Sequence, residues 1–199
     1  GDVYKRQIQS DGALRDLRAH HPDSEIVILT TPTYQKFFNR CPHVDRVICD
    51  PRAPRWRLDQ MLDLRKRLRS ENFSRVYDLQ NASRTHFYFR WMLSDVEWSG
   101  TAPGCALPHR AKNPKSIRTL DRLAGQLKDA GVPIHHCLKP DLTWMMSDVS
   151  SVMAEAGLNR PFVFLIPGTS ARMTQRRWGH YAELADALMR DGWQVATAP

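Results

Sequence analysis

Cysteine is scarce in this chain and badly placed for metal or redox work. The four cysteines, Cys41, Cys49, Cys105 and Cys137, include no Cys-x-x-Cys pair. A zinc knuckle and a dithiol redox motif are thereby excluded, and the expectation is reduced thiols in a cytosolic protein. Long apolar runs are missing too. None approaches the roughly 18 residues of a membrane span, which argues against integral insertion. The first residues are polar and lack the continuous apolar core of a secretory signal. Neither a short-period repeat, a helix-turn-helix pattern nor an aromatic RNA-binding signature occurs. Acidic residues are outnumbered, 21 against 29 Lys and Arg, for a net charge of +8. That surplus suits nucleic acid, an anionic membrane face or a phosphate-bearing substrate, or is simply a solvated basic surface. It concentrates at Arg52, Arg55, Arg57, Arg65, Lys66, Arg67 and Arg69. Without a base-reading motif, leaning on an anionic surface fits this cluster better than nucleic-acid binding.

What is present is an alternation of helical and strand-like segments. Ala13, Leu14 and Leu17 recur at helical spacing within Ser10–Ala19, with Ser10 or Asp11 as a cap. "EIVILTT" is a short β-branched run that suits a buried parallel strand. A short helix at Tyr34–Asn39, a strand in "VDRVICD", an amphipathic helix from about Leu58 to Arg69 and a strand in "SRVYDLQ" follow. "SRTHFYFRWML" reads as a helix packed on the sheet, with a lipid-facing or acceptor-facing patch as the alternative. A strand and turns in "DVEWSGTAPG" and a helix from about Ser116 to Ala130 come next. "VPIHHCLKPDLTW" is aperiodic and suits a linker. A helix around Ser147–Ala156 leads to a second strand–loop–helix–strand unit beginning at Phe162. The expected architecture is α/β, with two similar parallel-sheet halves.

The first seven residues, "GDVYKRQ", lack the apolar run of a first parallel strand. Asp2–Gln7 also back-translate as GAT GTG TAT AAG AGA CAG, the end sequence of a transposase used to build sequencing libraries. The expectation is that residues 1–7 are translated adaptor and that the authentic chain enters at Ile8. Because the pattern also stops after the strand Trp193–Thr197, an internal fragment of a longer protein is expected.

Chemistry concentrates in "FVFLIPGTSARMTQRRWGHYAELADAL". In open parallel sheets, ligands sit beyond the carboxyl ends of strands, where Pro167–Ser170 falls. Gly168 lets a ligand approach the backbone, and the Thr169 and Ser170 hydroxyls can donate hydrogen bonds. A helix beginning near Gly179 or His180 turns its positive end towards the same place. Arg176 and Arg177 offer planar forks for phosphate oxygens. Together these suit a diphosphate; a plain turn followed by surface arginines is the alternative.

The same segment resembles glycosyltransferase family 9, the heptosyltransferase-like enzymes of bacterial lipopolysaccharide biosynthesis. The family pattern here is a strand, Pro-Gly-Ala/Thr-Ser, a variable loop, Lys-Arg-Trp-Pro, then Phe/Tyr-Ala-Glu-Leu-Ala. In this chain Arg176 stands for the lysine and Gly179 for the proline. "ALRDLRAHHPDSEIVILTTP", "CPHVDRVICD", "ENFSRVYDLQ" and "EWSGTAPGC" resemble successive upstream elements, so the likeness runs from about Ile8 to Pro199. It implies a GT-B-like fold: a Rossmann-like acceptor-binding domain at 8–145, then the beginning of a second Rossmann-like, nucleotide-sugar-binding domain at 146–199.

The resemblance further implies an inverting transfer of a sugar, heptose, from a nucleotide-diphosphate donor, ADP-heptose, to a lipopolysaccharide-core or other glycolipid acceptor. The enzyme would be cytoplasmic, in peripheral contact with the anionic inner membrane, with no nucleic acid as partner and no cofactor. Inversion needs a base, and the leaving diphosphate needs positive charge. No Asp-x-Asp pair exists in the chain, so the expected charge comes from Arg176 and Arg177, with Gly168, Thr169 and Ser170, and not from a metal. The family's base is an aspartate in a Gly-Asp pair just before the first helix. Its place falls at about Arg6, and Asp2 lies about one helical turn off, so no residue takes the role. Ser10, Asp78 and Gln80 match positions implied to face the acceptor, while capping and loop-holding are their alternative roles. Residues gripping the base and ribose are expected beyond Pro199, and the 199 residues alone are expected to be inactive. The competing class is a non-catalytic Rossmann-like module that binds a phosphorylated ligand or nucleic acid.

Overall fold

The structure, a computed structural model, describes residues 2–110, 117–168 and 178–197. The chain divides into two compact units, residues 6–145 and residues 146–199 with Gly1–Lys5.

Up to residue 145, helices and strands alternate as α1 (Asp2–His20, in the larger unit from Arg6), β1 (Val27–Thr30), α2 (Pro32–Phe38), β2 (Arg46–Cys49), α3 (Leu58–Ser70), β3 (Arg75–Tyr77), α4 (Ser83–Met92), β4 (Glu97–Gly100), β5 (Leu107–Pro108) and α5 (Thr119–Asp129). Every strand pairing is parallel: β1 with β2, and β3 with β4 and β4 with β5. Pro108 lacks an N–H, and β5 accordingly sits at the edge of its ladder.

Side-chain alternation along the strands produces two cores. Val27, Ile48, Val76 and Trp98 join a cluster with Met61, Leu64 and Leu68 of α3 and Tyr88, Phe89 and Met92 of α4. Their neighbours Ile28, Val47 and Tyr77 join a second cluster with Ala13, Leu14 and Leu17 of α1, Tyr34 and Phe38 of α2, and Leu123 and Leu127 of α5. Successive strand residues point to opposite faces, so helices cover both sides of a three-layer α/β/α sandwich. The ladders β2–β1 and β3–β4–β5 share both clusters yet are not hydrogen-bonded to each other, where the sequence pattern suggests one sheet.

Two local expectations are corrected. Neither Ser10 nor Asp11 caps a helix start, because α1 already begins at Asp2. Asp11 is instead buried, accepting hydrogen bonds from the Asp141 backbone N–H (2.9 Å) and Trp144 Nε1 (2.8 Å). Nor is Val132–Trp144 a free linker. Val132 and Cys137 are buried in the second cluster, and the Asp16 carboxylate accepts the N–H groups of His135, His136 and Cys137 at 2.9–3.3 Å. Gly12 makes this approach feasible, since a Cβ there would stand 2.2 Å from the His136 carbonyl oxygen.

The smaller unit contains α6 (Ser150–Glu155), β6 (Phe162–Leu165), α7 (Tyr181–Arg190) and β7 (Gln194–Thr197), with β6 and β7 parallel and Phe162 opposite Gln194. The Gln194 side chain fixes the entry to β6. Its Oε1 accepts from the N–H groups of Asn159 and Arg160 at 3.1 and 3.2 Å, and its Nε2 donates to the Gly157 carbonyl at 2.9 Å. Gly157 and Gly192 adopt φ of +69° and +87°, the left-handed conformation in which glycine commonly ends a helix.

Candidate functional site

β2 and β3 end in the same way, each on a buried aspartate that folds the following loop. Asp50 Oδ1 accepts the Arg52 N–H at 2.7 Å. Asp78 Oδ1 accepts the N–H groups of Gln80 and Asn81 at 3.1 and 2.9 Å. In both loops the chain then passes through a positive φ, at Arg52 (55°) and Asn81 (50°). A carboxylate satisfying its own loop, followed by a left-handed residue, brings the backbone sharply out of the sheet.

The two loops meet at the carboxyl ends of the strands. The Arg52 guanidinium donates to Gln80 Oε1 at 3.1 Å, and Arg55 donates to the Ser83 hydroxyl at the start of α4 at 3.3 Å. His86 Nε2 is 3.0 Å from the Thr101 hydroxyl, and the Thr101 N–H donates to Asn81 Oδ1 at 2.9 Å. Gln80 is exposed on this rim and Asp78 is buried beneath it. Below, Gln126 is fully buried: its Oε1 accepts from Asn81 Nδ2 at 2.6 Å and its Nε2 donates to the Asp78 carbonyl at 3.0 Å. A second polar layer joins Asp50, Tyr88 and Arg84. The Tyr88 hydroxyl donates to Asp50 Oδ2 at 2.5 Å, and Arg84 reaches both the Tyr88 oxygen and the Ala53 carbonyl. Burial and the Asp50 carboxylate push the Tyr88 phenol well above its ordinary range, so it stays a neutral donor.

Asp78 carries the least comfortable charge of the rim. Burial pushes its carboxyl above the usual carboxylate range, although the N–H groups of Asn81 and Gln80 and the His86 ring offset part of that. The Thr85 hydrogen is already committed to the Ala82 carbonyl at 2.8 Å, and Asp78 Oδ2 is left buried without a hydrogen-bond partner among the described residues. The arrangement offers guanidinium, hydroxyl and imidazole groups at one sheet edge, a set suited to a ligand rich in hydroxyls.

Of the residues singled out in the sequence, Asp78 and Gln80 thus lie together at this edge. Ser10 sits on α1, half-buried, one residue before Asp11. Position 6, where the family's base is expected, lies within α1 and is an arginine. Arg52 was expected only as part of the basic cluster, and Asn81, Arg84 and Gln126 were not anticipated. The parallel between "ICDPR" and "YDLQN", each an aspartate closing an apolar run, is the signal that leads to the first two. Nothing local marks Gln126 on α5.

In the smaller unit, β6 ends at Leu165, and Ile166, Pro167 and Gly168 lead out at its carboxyl end with Gly168 exposed. The Tyr181 hydroxyl donates to the Ile166 carbonyl at 3.3 Å, tying the first residue of α7 to the end of β6. Trp178 packs edge-on against His180 and Tyr181 at ring separations of 5.7 and 5.3 Å. Thr169, Ser170, Arg176 and Arg177 lie outside the described residues. Among the described residues no group of three or more His, Cys, Asp or Glu side chains is placed to hold a metal, and no helix is long and apolar enough to cross a membrane.

A doubly wound α/β unit followed by a β–α–β unit with an open strand end is the architecture of GT-B-like transferases, and solved structures agree. The chain aligns with the E. coli ADP-heptose lps heptosyltransferase II at a TM-score of 0.69 and 20% identity, covering 96% of this chain and 60% of that one. It aligns with the glycosyl transferase family 9 protein from Veillonella parvula DSM 2008 at 0.75 and 17%, covering 96% and 58%. The chain therefore spans about three fifths of the length of each. No curated protein matches it. The family model for glycosyltransferase family 9 (heptosyltransferase) matches residues 61–198, and the chain belongs to that family.

Proposed function

We propose that this chain serves an inverting glycosyltransferase that moves a sugar from a nucleotide-diphosphate donor to a lipopolysaccharide-core or other glycolipid acceptor. ADP-heptose is the proposed donor, by analogy with the E. coli heptosyltransferase. In this reading residues 146–199 take the donor and residues 8–145 the acceptor. Gly168, Thr169, Ser170, Arg176 and Arg177 hold the departing diphosphate without a metal, the arginines supplying the charge. Arg176 replaces the family's lysine, so charge is kept while a fork replaces a point donor. Asp78 acts by shaping the loop that presents Gln80, and Ser10 faces the acceptor from α1. The glycolipid acceptor puts the protein on the cytoplasmic face of the inner membrane as a peripheral protein.

The observation that carries the reading is the family match across the Pro-Gly-Thr-Ser and Arg-Arg-Trp segment, with Gly168 exposed at the carboxyl end of a parallel strand. The test incubates the full-length gene product with ADP-, UDP- and GDP-sugars and follows thermal protection and sugar transfer. Protection by one nucleotide together with transfer supports the enzyme. Protection without transfer replaces it with a non-catalytic phosphate-binding module, and DNA binding without either overturns both.

A further inference from the structure

We propose that the outward flank of α3, with the loop leading into it, docks this chain on an anionic lipid bilayer. The inference deepens the glycolipid reading by naming the side of the protein that meets lipid. It is tested by vesicle binding alone, so it stands or falls separately from sugar transfer.

Three large apolar side chains stand in solvent here: Trp56 (79% exposed), Leu58 (62%) and Leu62 (52%). Single exposed leucines are ordinary, but this is a cluster. Leu58 and Leu62 are one helical turn apart and lie side by side, with Trp56 in the loop immediately before. The same stripe continues through Arg65, Lys66 and Arg69, three, four and seven residues beyond Leu62. The acids of α3, Asp59 and Asp63, flank this stripe on its Lys66 side, and Asp59 is already paired with Arg57 at 3.3 Å. A helix with Met61, Leu64 and Leu68 buried thus carries a second, exposed strip that is apolar at its start and basic at its end.

The neighbouring helix extends the strip. The Arg65 guanidinium lies over the Trp91 ring at 5.7 Å, and Arg55 over the Phe87 ring at 5.3 Å. Phe87 and Trp91 are only half-buried and face each other at 5.3 Å. Arg69 is committed to the Met92 carbonyl and to Asp95, whereas Arg55, Arg65 and Lys66 form no ion pair among the described residues. Tryptophan and leucine beside cations on long stems are the chemistry of the headgroup boundary. The rings and aliphatic groups enter the acyl edge, and the charged ends stay at lipid phosphates. A second copy of the chain would set cation against cation. A nucleic acid would leave the leucines with no apolar partner.

The experiment is co-sedimentation of the chain with vesicles of phosphatidylglycerol and phosphatidylcholine, against phosphatidylcholine alone. Binding is expected to the anionic vesicles and to fall with salt. Each of Arg65→Gln and Lys66→Gln should weaken it roughly fivefold, and Trp56→Ser roughly tenfold. Lys128→Gln, on α5 across the sheet, should leave it unchanged. The three positions other than Arg65 are exposed, so folding is retained, and Arg65→Lys should restore the charge lost in Arg65→Gln. Equal binding to both vesicle types, equal loss with Lys128→Gln, or a concentration-dependent dimer broken by Trp56→Ser would overturn the proposal.

Discussion

Removing the Asp16 carboxylate tests how the acceptor-side unit is held together. Asp16 is 1% exposed and accepts three backbone N–H groups, from His135, His136 and Cys137, at distances down to 2.9 Å. These bonds fasten α1 to a segment more than 100 residues away in sequence, which has no sheet partner of its own. Replacement by alanine orphans three N–H groups, that of Cys137 buried and those of His135 and His136 partly so. Each orphaned group costs about 1–3 kcal/mol, and neighbouring losses are partly shared, which gives about 3–5 kcal/mol for Asp16→Ala. With a urea slope of about 1–3 kcal/mol per molar, the midpoint should fall by roughly 2 M. Asn keeps one acceptor oxygen but turns an NH₂ towards N–H groups, so Asp16→Asn should recover less than half. Circular dichroism in urea reads the stability, and hydrogen exchange of the 132–138 amides reads the local fastening. A midpoint change under about 1 kcal/mol equivalent, with the 135–137 amides still protected, would refute the reasoning.

Gly12→Ala should also destabilise, although alanine favours helix by about 1 kcal/mol. The new Cβ would stand 2.2 Å from the His136 carbonyl, a backbone atom, so a net loss of about 2 kcal/mol or more is expected in the same urea assay. Asp78 predicts a pH dependence. Its native carboxyl lies above the ordinary range, so the folded state binds more protons than the unfolded one over the interval between the two values. Stability from this group therefore falls as pH rises through that interval. Asp78→Asn, whose amide oxygen can still accept from Gln80 and Asn81, should flatten that decline in melts taken from pH 3 upwards; an unchanged slope would contradict the assignment.

The layer order was legible because periodicity reports burial directly. "EIVILTT" and "VDRVICD" place alternate residues on opposite cores, and α3 buries Met61, Leu64 and Leu68 from a simple helical stripe. The strand-terminal position of Asp78 and Gln80 was equally legible, since an aspartate closing an apolar run marks the end of a strand. What was hidden depends on contacts between distant segments. The 132–144 stretch reads as a linker because its order comes from Asp11 and Asp16, not from its own pattern. Gln126 looks like an ordinary helix residue, and only the fold brings it under Asn81. Asp11 resembles a cap because local sequence cannot tell that α1 begins at Asp2.

The central claim is that the cationic segment after Gly168 neutralises a nucleotide diphosphate. Calorimetric titration of ADP into the full-length gene product and into its Arg176→Gln variant tests it most directly. Loss of one charge-assisted fork should weaken binding about 10- to 100-fold with the melting temperature unchanged. Equal affinity in the two proteins would contradict the account.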